Sequence, residues 1–231
     1  MEYIIALLII VIPIISYICF SKGKKIGASE FFKLIANFGY QSKVNAFRTQ
    51  NKHVPLGGVV FLGDSITQDY NVYEAFPGHL VYNRGIGGDT TEGVLNRLDV
   101  SVFELKPKAV VMLIGTNDFA LLKSSVEEVF ERIRIIVETI KEKLPTCQVI
   151  VQSVYPVNET LDKMTVLPRN NHDIDILNNM LQTLNAITYV DVSSHLKDEH
   201  HRFKEIYTLE GLHVSPLGYE VVSHILSTIL D

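Results

Sequence analysis

The chain has 231 residues, 47% hydrophobic and 20% charged, a balance that suits one packed globular domain plus a short extra segment. A net charge of −5 without a long basic block argues against nucleic acid as a partner. The two cysteines, Cys19 and Cys147, fall in an apolar run and in a strand-like segment, so no disulfide framework is expected.

Residues 3–20 form an uncharged, Ile- and Leu-rich run. As a helix it would extend about 27 Å, close to the roughly 30 Å of a hydrocarbon core. Only Met1 and Glu2 precede it, and no small-residue cleavage site follows, which favours an uncleaved transmembrane helix over a signal peptide. Lys22, Lys24, Lys25 and Lys33 lie on its C-terminal side. The positive-inside rule then gives a single-pass cell-membrane protein with its main domain on the cytoplasmic face, export of that domain being the alternative. Residues 21–54 read as a juxtamembrane helix and linker. Phe31, Leu34, Ile35 and Phe38 recur at helical spacing. That stripe predicts a helix packed on the following domain, with an interfacial helix near lipid as the functional alternative.

From residue 55 short apolar runs alternate with helical patterns. Strands are predicted at 59–62, 80–83, 109–114, 148–154 and 188–192. Helices are predicted at 91–104, 125–143, 171–184 and 216–230, the last opened by Ser215 as cap and Pro216 in the first turn. Continuous apolar strands separated by helices imply a parallel sheet covered on both faces, with any site at the strands' C-terminal ends.

Four segments at such ends carry chemistry. Gly63-Asp64-Ser65 follows the first strand and opens a helix, where backbone N–H groups can meet an oxyanion. Taken alone, a serine there is more often an N-cap. Gly85-Ile86-Gly87-Gly88-Asp89-Thr90-Thr91 follows the second strand and lets backbone approach a ligand. It lacks the G-x-G-x-x-G spacing of a dinucleotide loop, and a plain structural turn is the competing reading. In Gly115-Thr116-Asn117-Asp118 the Asn117 amide can donate into a site, or can simply turn the chain. Glu210-Gly211-Leu212-His213 precedes the last helix and sets a base three residues after a carboxylate able to fix its tautomer. Asp64 and Asp89 are expected to fix loop geometry, Asp64 also bordering the substrate site. Tyr155 and Pro156, just past the fourth strand, are expected at the substrate mouth, with Arg169 and Asn170 within reach of it. Asp198-Glu199-His200-His201 lacks the i, i+4 histidine pair of a helical zinc site and reads as a solvated loop, so neither metal nor cofactor is expected.

In order and spacing the four segments resemble the SGNH (GDSL-like) hydrolases over residues 55–231, and the Gly85–Thr91 stretch resembles their platelet-activating-factor acetylhydrolase-type branch. The resemblance implies a flavodoxin-like three-layer α/β/α fold with a mainly five-stranded parallel sheet. It implies Ser65 as nucleophile, His213 as general base, and the Ser65 N–H, Gly88 N–H and Asn117 side chain as an oxyanion hole. Relatives usually carry Asp three residues before the histidine; here Glu210 stands there and would complete a Ser-His-Glu triad. The expected activity is a membrane-anchored carboxylic ester hydrolase working through an acyl-enzyme on small acyl esters, lysophospholipids or O-acetylated sugars. An acyltransferase or thioesterase on the same machinery, or a catalytically silent membrane-tethered binding domain, are the alternatives. The sequence does not fix an oligomeric state.

Overall fold

The computed structural model describes the backbone from residue 2 to residue 230, and side chains at residues 17, 20–24, 27, 30, 31 and 34–230. The chain divides into two units, Met1–Gln41 and Ser42–Asp231. A helix runs over Glu2–Gln50, joining the predicted span and most of the predicted juxtamembrane segment in one element.

The transmembrane expectation for residues 3–20 is corrected, and with it the single-pass membrane location and the membrane as a partner. Among the described residues no helix is long and apolar enough to cross a bilayer. The described part of this helix carries the charged residues Lys22, Lys24, Glu30, Lys43 and Arg48. The side chains of residues 3–16 lie outside the described ones. Phe31, Leu34, Ile35 and Phe38 lie on this helix, as their spacing predicts.

In the second unit five parallel strands form one sheet: β1 (Val59–Gly63), β2 (Val81–Gly85), β3 (Ala109–Leu113), β4 (Gln148–Gln152) and β5 (Thr188–Val190). Their order is β2-β1-β3-β4-β5, so β1 and β3 lie side by side where the winding reverses. Alternation along each strand feeds two apolar cores. Val60, Leu62, Val110, Met112, Val149 and Val151 pack with the helices Val126–Lys143 and Asn171–Leu181. Val59, Phe61, Val111 and Ile150 pack on the opposite face with Val222 and Leu226 of the helix Pro216–Leu230. Burial on both faces explains why these strands read as unbroken apolar runs.

The predicted helix at 91–104 is broken into Thr91–Asn96, Leu98–Ser101 and a 3₁₀ turn at Phe103–Leu105. Arg97 sits at the first break with φ −123° and ψ 13°, and its 2%-exposed side chain turns inward. Its guanidinium donates to Asp89 Oδ2 (2.7 Å), Arg84 O (2.8 Å), Ser101 Oγ (2.9 Å) and Gly63 O (2.9 Å). One buried cation thereby ties the ends of β1 and β2 to the glycine-rich loop.

Asp64 caps the short helix Ser65–Asp69 by accepting the Ile66 N–H at 3.0 Å. It is fully buried, and burial pushes its carboxyl up from 3.8 to about 7, against the opposing pull of the Ile66 hydrogen bond. A carboxyl raised on folding holds its proton more tightly in the folded state. Its contribution to stability is complete below about pH 4 and is lost as pH rises through about 7.

Two outcomes are expected. Arg97→Ala should lower the unfolding free energy by about 3–5 kcal/mol, read from urea denaturation, because it leaves Asp89 buried without its partner; a loss under about 1 kcal/mol would refute that account. Asp64→Asn keeps an N-cap acceptor. In calorimetry the wild type should lose more thermal stability than this variant between about pH 5 and about pH 8, and parallel curves would refute the assignment.

Candidate active site

Ser65 is the first residue of the helix Ser65–Asp69, immediately after β1. The close approach of that helix to β2 requires glycine at residue 85: a Cβ there would stand 2.1 Å from the Gln68 nitrogen. Asn83 secures the other end of the helix, its Nδ2 donating to Thr67 O (2.7 Å) and Tyr70 O (2.9 Å). Tyr219 Oη of the last helix donates to Ile66 O at 2.7 Å.

His213 reaches Ser65 from a loop 148 residues further along the chain. Ser65 Oγ lies 3.1 Å from His213 Nε2, and His213 Nδ1 meets Glu210 Oε1. The same carboxylate oxygen also accepts the His213 backbone N–H at 3.3 Å. Gly211 makes this fold-back possible. It has φ +101°, and a Cβ there would stand 2.2 Å from Asn158 O. Thr208 Oγ1 then donates to His213 O (2.7 Å) and accepts from Gly211 N (2.9 Å), closing the loop on itself. Ser65, Glu210 and His213 are all half-buried, sheltered yet reachable from solvent.

Gly88 is exposed with φ +74°, and open space stands where a Cβ would be. Asn117, at the end of the β3 exit, is 5% exposed. Its Nδ2 donates to Asp89 O at 2.9 Å and makes only a long 3.5 Å contact to Asp64 Oδ2. Its Oδ1 accepts from Arg169 Nη2 at 2.7 Å. Arg169 is itself 6% exposed and donates through Nε to Thr116 O (3.0 Å) and through Nη1 to Thr165 O (3.0 Å). Because the guanidinium has only donors, it fixes which end of the Asn117 amide is oxygen and leaves the NH₂ end facing Asp64 and Asp89. Asp118, fully buried, accepts the Thr91 backbone N–H at 3.0 Å and the Thr91 hydroxyl, and pairs with Arg132 at 3.3 Å. Burial holds its carboxyl above the usual range, against those same partners.

The structure thus brings together Ser65, Glu210, His213, Asp64 and Asn117 from three separate loops. Tyr155 and Pro156 are both buried, Tyr155 sharing one small space with Asp64 and Ile66, its Oη donating to Gln152 Oε1 at 2.6 Å. A residue just past a strand end has two ways to point, and Tyr155 takes the inward one, joining the core under the Ser65 helix. Asp64 is likewise fully buried, a helix cap with no exposed surface. Asp198 turns its own loop by accepting from His200 N (2.8 Å) and Arg202 N (2.9 Å). The sequence reading missed Arg97 altogether. Its signal was an arginine between Val94 and Leu98, two residues that both turn out to be buried.

Such an arrangement can move a proton from a serine hydroxyl to an imidazole whose tautomer a carboxylate fixes. Residues 61–221 match the GDSL-like lipase/acylhydrolase family. Platelet-activating factor acetylhydrolase IB subunit alpha1 of Pongo abelii is 30% identical over 194 residues, covering 74% of this chain and 74% of that protein. The alpha2 subunit of Homo sapiens is 39% identical over 107 residues, but this match covers 44% of this chain and only 45% of the relative. A solved Streptococcus pneumonia protein named for platelet activating factor superposes with a TM-score of 0.84 at 28% identity, over 89% of this chain and 99% of that one. A match that takes in the end of β1, the serine, the glycine-rich loop, the asparagine and the histidine, on a shared fold, places this chain in the GDSL-like lipase/acylhydrolase family.

Proposed function

We propose that the protein hydrolyses carboxylic esters through a Ser65-His213-Glu210 triad and an acyl-enzyme. The observation that carries this reading is the 3.1 Å contact between Ser65 Oγ and His213 Nε2, with Glu210 on the far side of the ring. Glu210 keeps the proton on Nδ1, so that Nε2 is free to accept. As Oγ attacks the ester carbonyl carbon, its proton passes to Nε2 and negative charge collects on the carbonyl oxygen. The Ser65 N–H, the Gly88 N–H and the second Asn117 amide hydrogen are the donors for that charge. Collapse of the tetrahedral species expels the alcohol, which takes the proton from His213. Water, deprotonated by the same nitrogen, then releases the acid. The acetylhydrolase names of the matched relatives support a short acyl group.

Arg169 enters as a positioning residue. It touches neither the serine nor the ester, and it acts by orienting Asn117.

Purified Ser65→Ala should fold normally and lose turnover of p-nitrophenyl acetate; near-wild-type turnover would overturn the proposal. Asn117→Ala should lower kcat by about 10²–10³, the cost of removing one oxyanion donor. Arg169→Ala should lower kcat roughly tenfold with little change in KM, yet have no further effect in an Asn117→Ala background. If the two losses multiply instead, Arg169 acts through something other than Asn117; Arg169→Lys provides a second variant if the alanine protein fails to fold.

A further inference from the structure

Gly88, whose N–H is one of the three oxyanion donors above, sits in a turn built from two glycines. Asp89 N donates to Ile86 O at 3.1 Å and closes the four residues Ile86–Asp89. Gly88 has φ +74° while Gly87 stays outside the left-handed region, the pattern of a type II turn with glycine at its third position. A type I turn over the same residues differs by a half-turn of the Gly87–Gly88 peptide: ψ of the second residue and φ of the third change by about 150° and about 170°. That half-turn reverses the direction of the Gly88 N–H, and two adjacent glycines offer no steric bar to it.

Both ends of the turn are tied to the scaffold. Ile86 N donates to Gly63 O (3.1 Å), Asp89 O accepts from Asn117 Nδ2 (2.9 Å), and Asp89 Oδ2 pairs with Arg97 (2.7 Å). The two central glycines are exposed. Among the described residues one side chain bonds to them: Gln68 Oε1 accepts the Gly87 N–H at 3.1 Å. The same amide covers the Gly87 α-carbon, since a Cβ there would stand 3.7 Å from both Gln68 Oε1 and Nε2. Gln68 follows Ser65 by three residues on the helix Ser65–Asp69, which puts the two side chains on one face, about 5–6 Å apart at Cβ. Its backbone is locked in place. Gln68 N donates to Asp64 O at 2.8 Å and packs against β2 where only glycine fits at residue 85. The helix that carries the serine thus reaches across to the turn that carries the Gly88 N–H.

We propose that Gln68 is a positioning residue for ester hydrolysis: by holding Gly87 against the Ser65 helix it keeps the Gly88 N–H aimed at the oxygen that gains charge when Ser65 attacks. Its catalytic half rests on the reading of Ser65 as nucleophile and of Gly88 as a donor. Its conformational half, a turn ordered by Gln68, stands on the contacts alone. Two experiments keep those halves apart.

The first is kinetic, with p-nitrophenyl acetate. Gln68→Ala should lower kcat about five- to twentyfold and move KM less than about twofold, a smaller loss than the roughly 10²–10³ of deleting a donor outright. Adding Gly87→Pro should then restore activity. Proline is favoured at the second position of a type II turn, where its ring sets φ near about −65°, and in the Gln68→Ala background the N–H it removes has already lost its acceptor. The double variant should recover kcat to within about threefold of the wild type, a rescue that a purely structural role for Gln68 would not produce. Gly87→Pro alone, with its ring against the Gln68 side chain, should be slower than the double variant. A kcat that Gln68→Ala leaves within about twofold of the wild type, or a folded double variant no faster than Gln68→Ala, overturns the proposal.

The second experiment needs no turnover. Nitrogen-15 relaxation in Ser65→Ala protein should give the Gly88 amide an order parameter of about 0.85, falling below about 0.6 when Gln68→Ala is added. Equal values in the two proteins overturn the proposal, and this measurement decides if the proline variant fails to fold. Absence of Ser65-dependent p-nitrophenyl acetate hydrolysis would sink the nucleophile reading instead, and the relaxation data would still decide whether Gln68 orders the turn.

Discussion

The buried guanidinium of Arg97 is the interaction on which the rest of the site depends. It reaches Gly63 O and Arg84 O, the last turns of two adjacent strands, and Asp89 on the loop between β2 and the next helix. An ion pair this deeply buried, with both side chains at 3% exposure or less, gains little net stability over an apolar pair of the same shape. What it provides is position. Asp89 holds Arg97 with its carboxylate and Asn117 with its carbonyl oxygen, so the glycine loop and the asparagine loop share one anchor. At the far side of the amide Arg169 takes the Asn117 oxygen. The proposed oxyanion donor is therefore clamped between two arginine-organised groups, neither of which faces the substrate.

The electrostatic cost of this arrangement falls on the aspartates. Asp64, Asp89 and Asp118 are all deeply buried, and burial raises the carboxyl of each above the usual range. Arg97 and Arg132 offset that cost for Asp89 and Asp118 by direct pairing. Asp64 has no such direct pair; its nearest help is the Ile66 N–H and the more distant charges of Arg169 and His213. The Asp64 carboxyl, which burial raises to about 7, directly precedes the proposed nucleophile. Preorganised polar sites carry this kind of strain because their dipoles are fixed before the substrate arrives.

Much of the fold was legible in the sequence because its signals are local. Parallel strands buried on both faces read as continuous apolar runs, and Pro216 after Ser215 marks the start of the last helix where the structure has it. The glycines, Ser65, Asn117 and His213 were legible as a set because each follows a strand or precedes a helix at the same sheet edge. What stayed hidden depends on contacts made at long range. Nothing local distinguishes an arginine that will bond two strand carbonyls from one that will face water, so Arg97 and Arg169 went unseen or only half seen. The side to which Tyr155 points depends on packing with the Ser65 helix and β1, contacts that its own neighbours in sequence do not encode. The apolar run at 3–20 gave a strong local signal for a membrane span, but the helix it begins continues through charged residues to Gln50.

Glu210 is the point at which local sequence and tertiary geometry had to agree. A glutamate is one methylene longer than an aspartate, and here it must meet a histidine only three residues away. The left-handed Gly211 bends the chain back, and the space for that bend exists only because glycine has no Cβ to meet Asn158 O. The extra length is then absorbed by the turn, and one oxygen reaches both the His213 ring and its backbone N–H. The backbone contact gives the carboxylate a second partner besides the ring. In this loop the longer side chain and the glycine after it act as one unit, and exchanging Glu210 for aspartate would shorten the reach without relaxing the turn that was shaped to take it up.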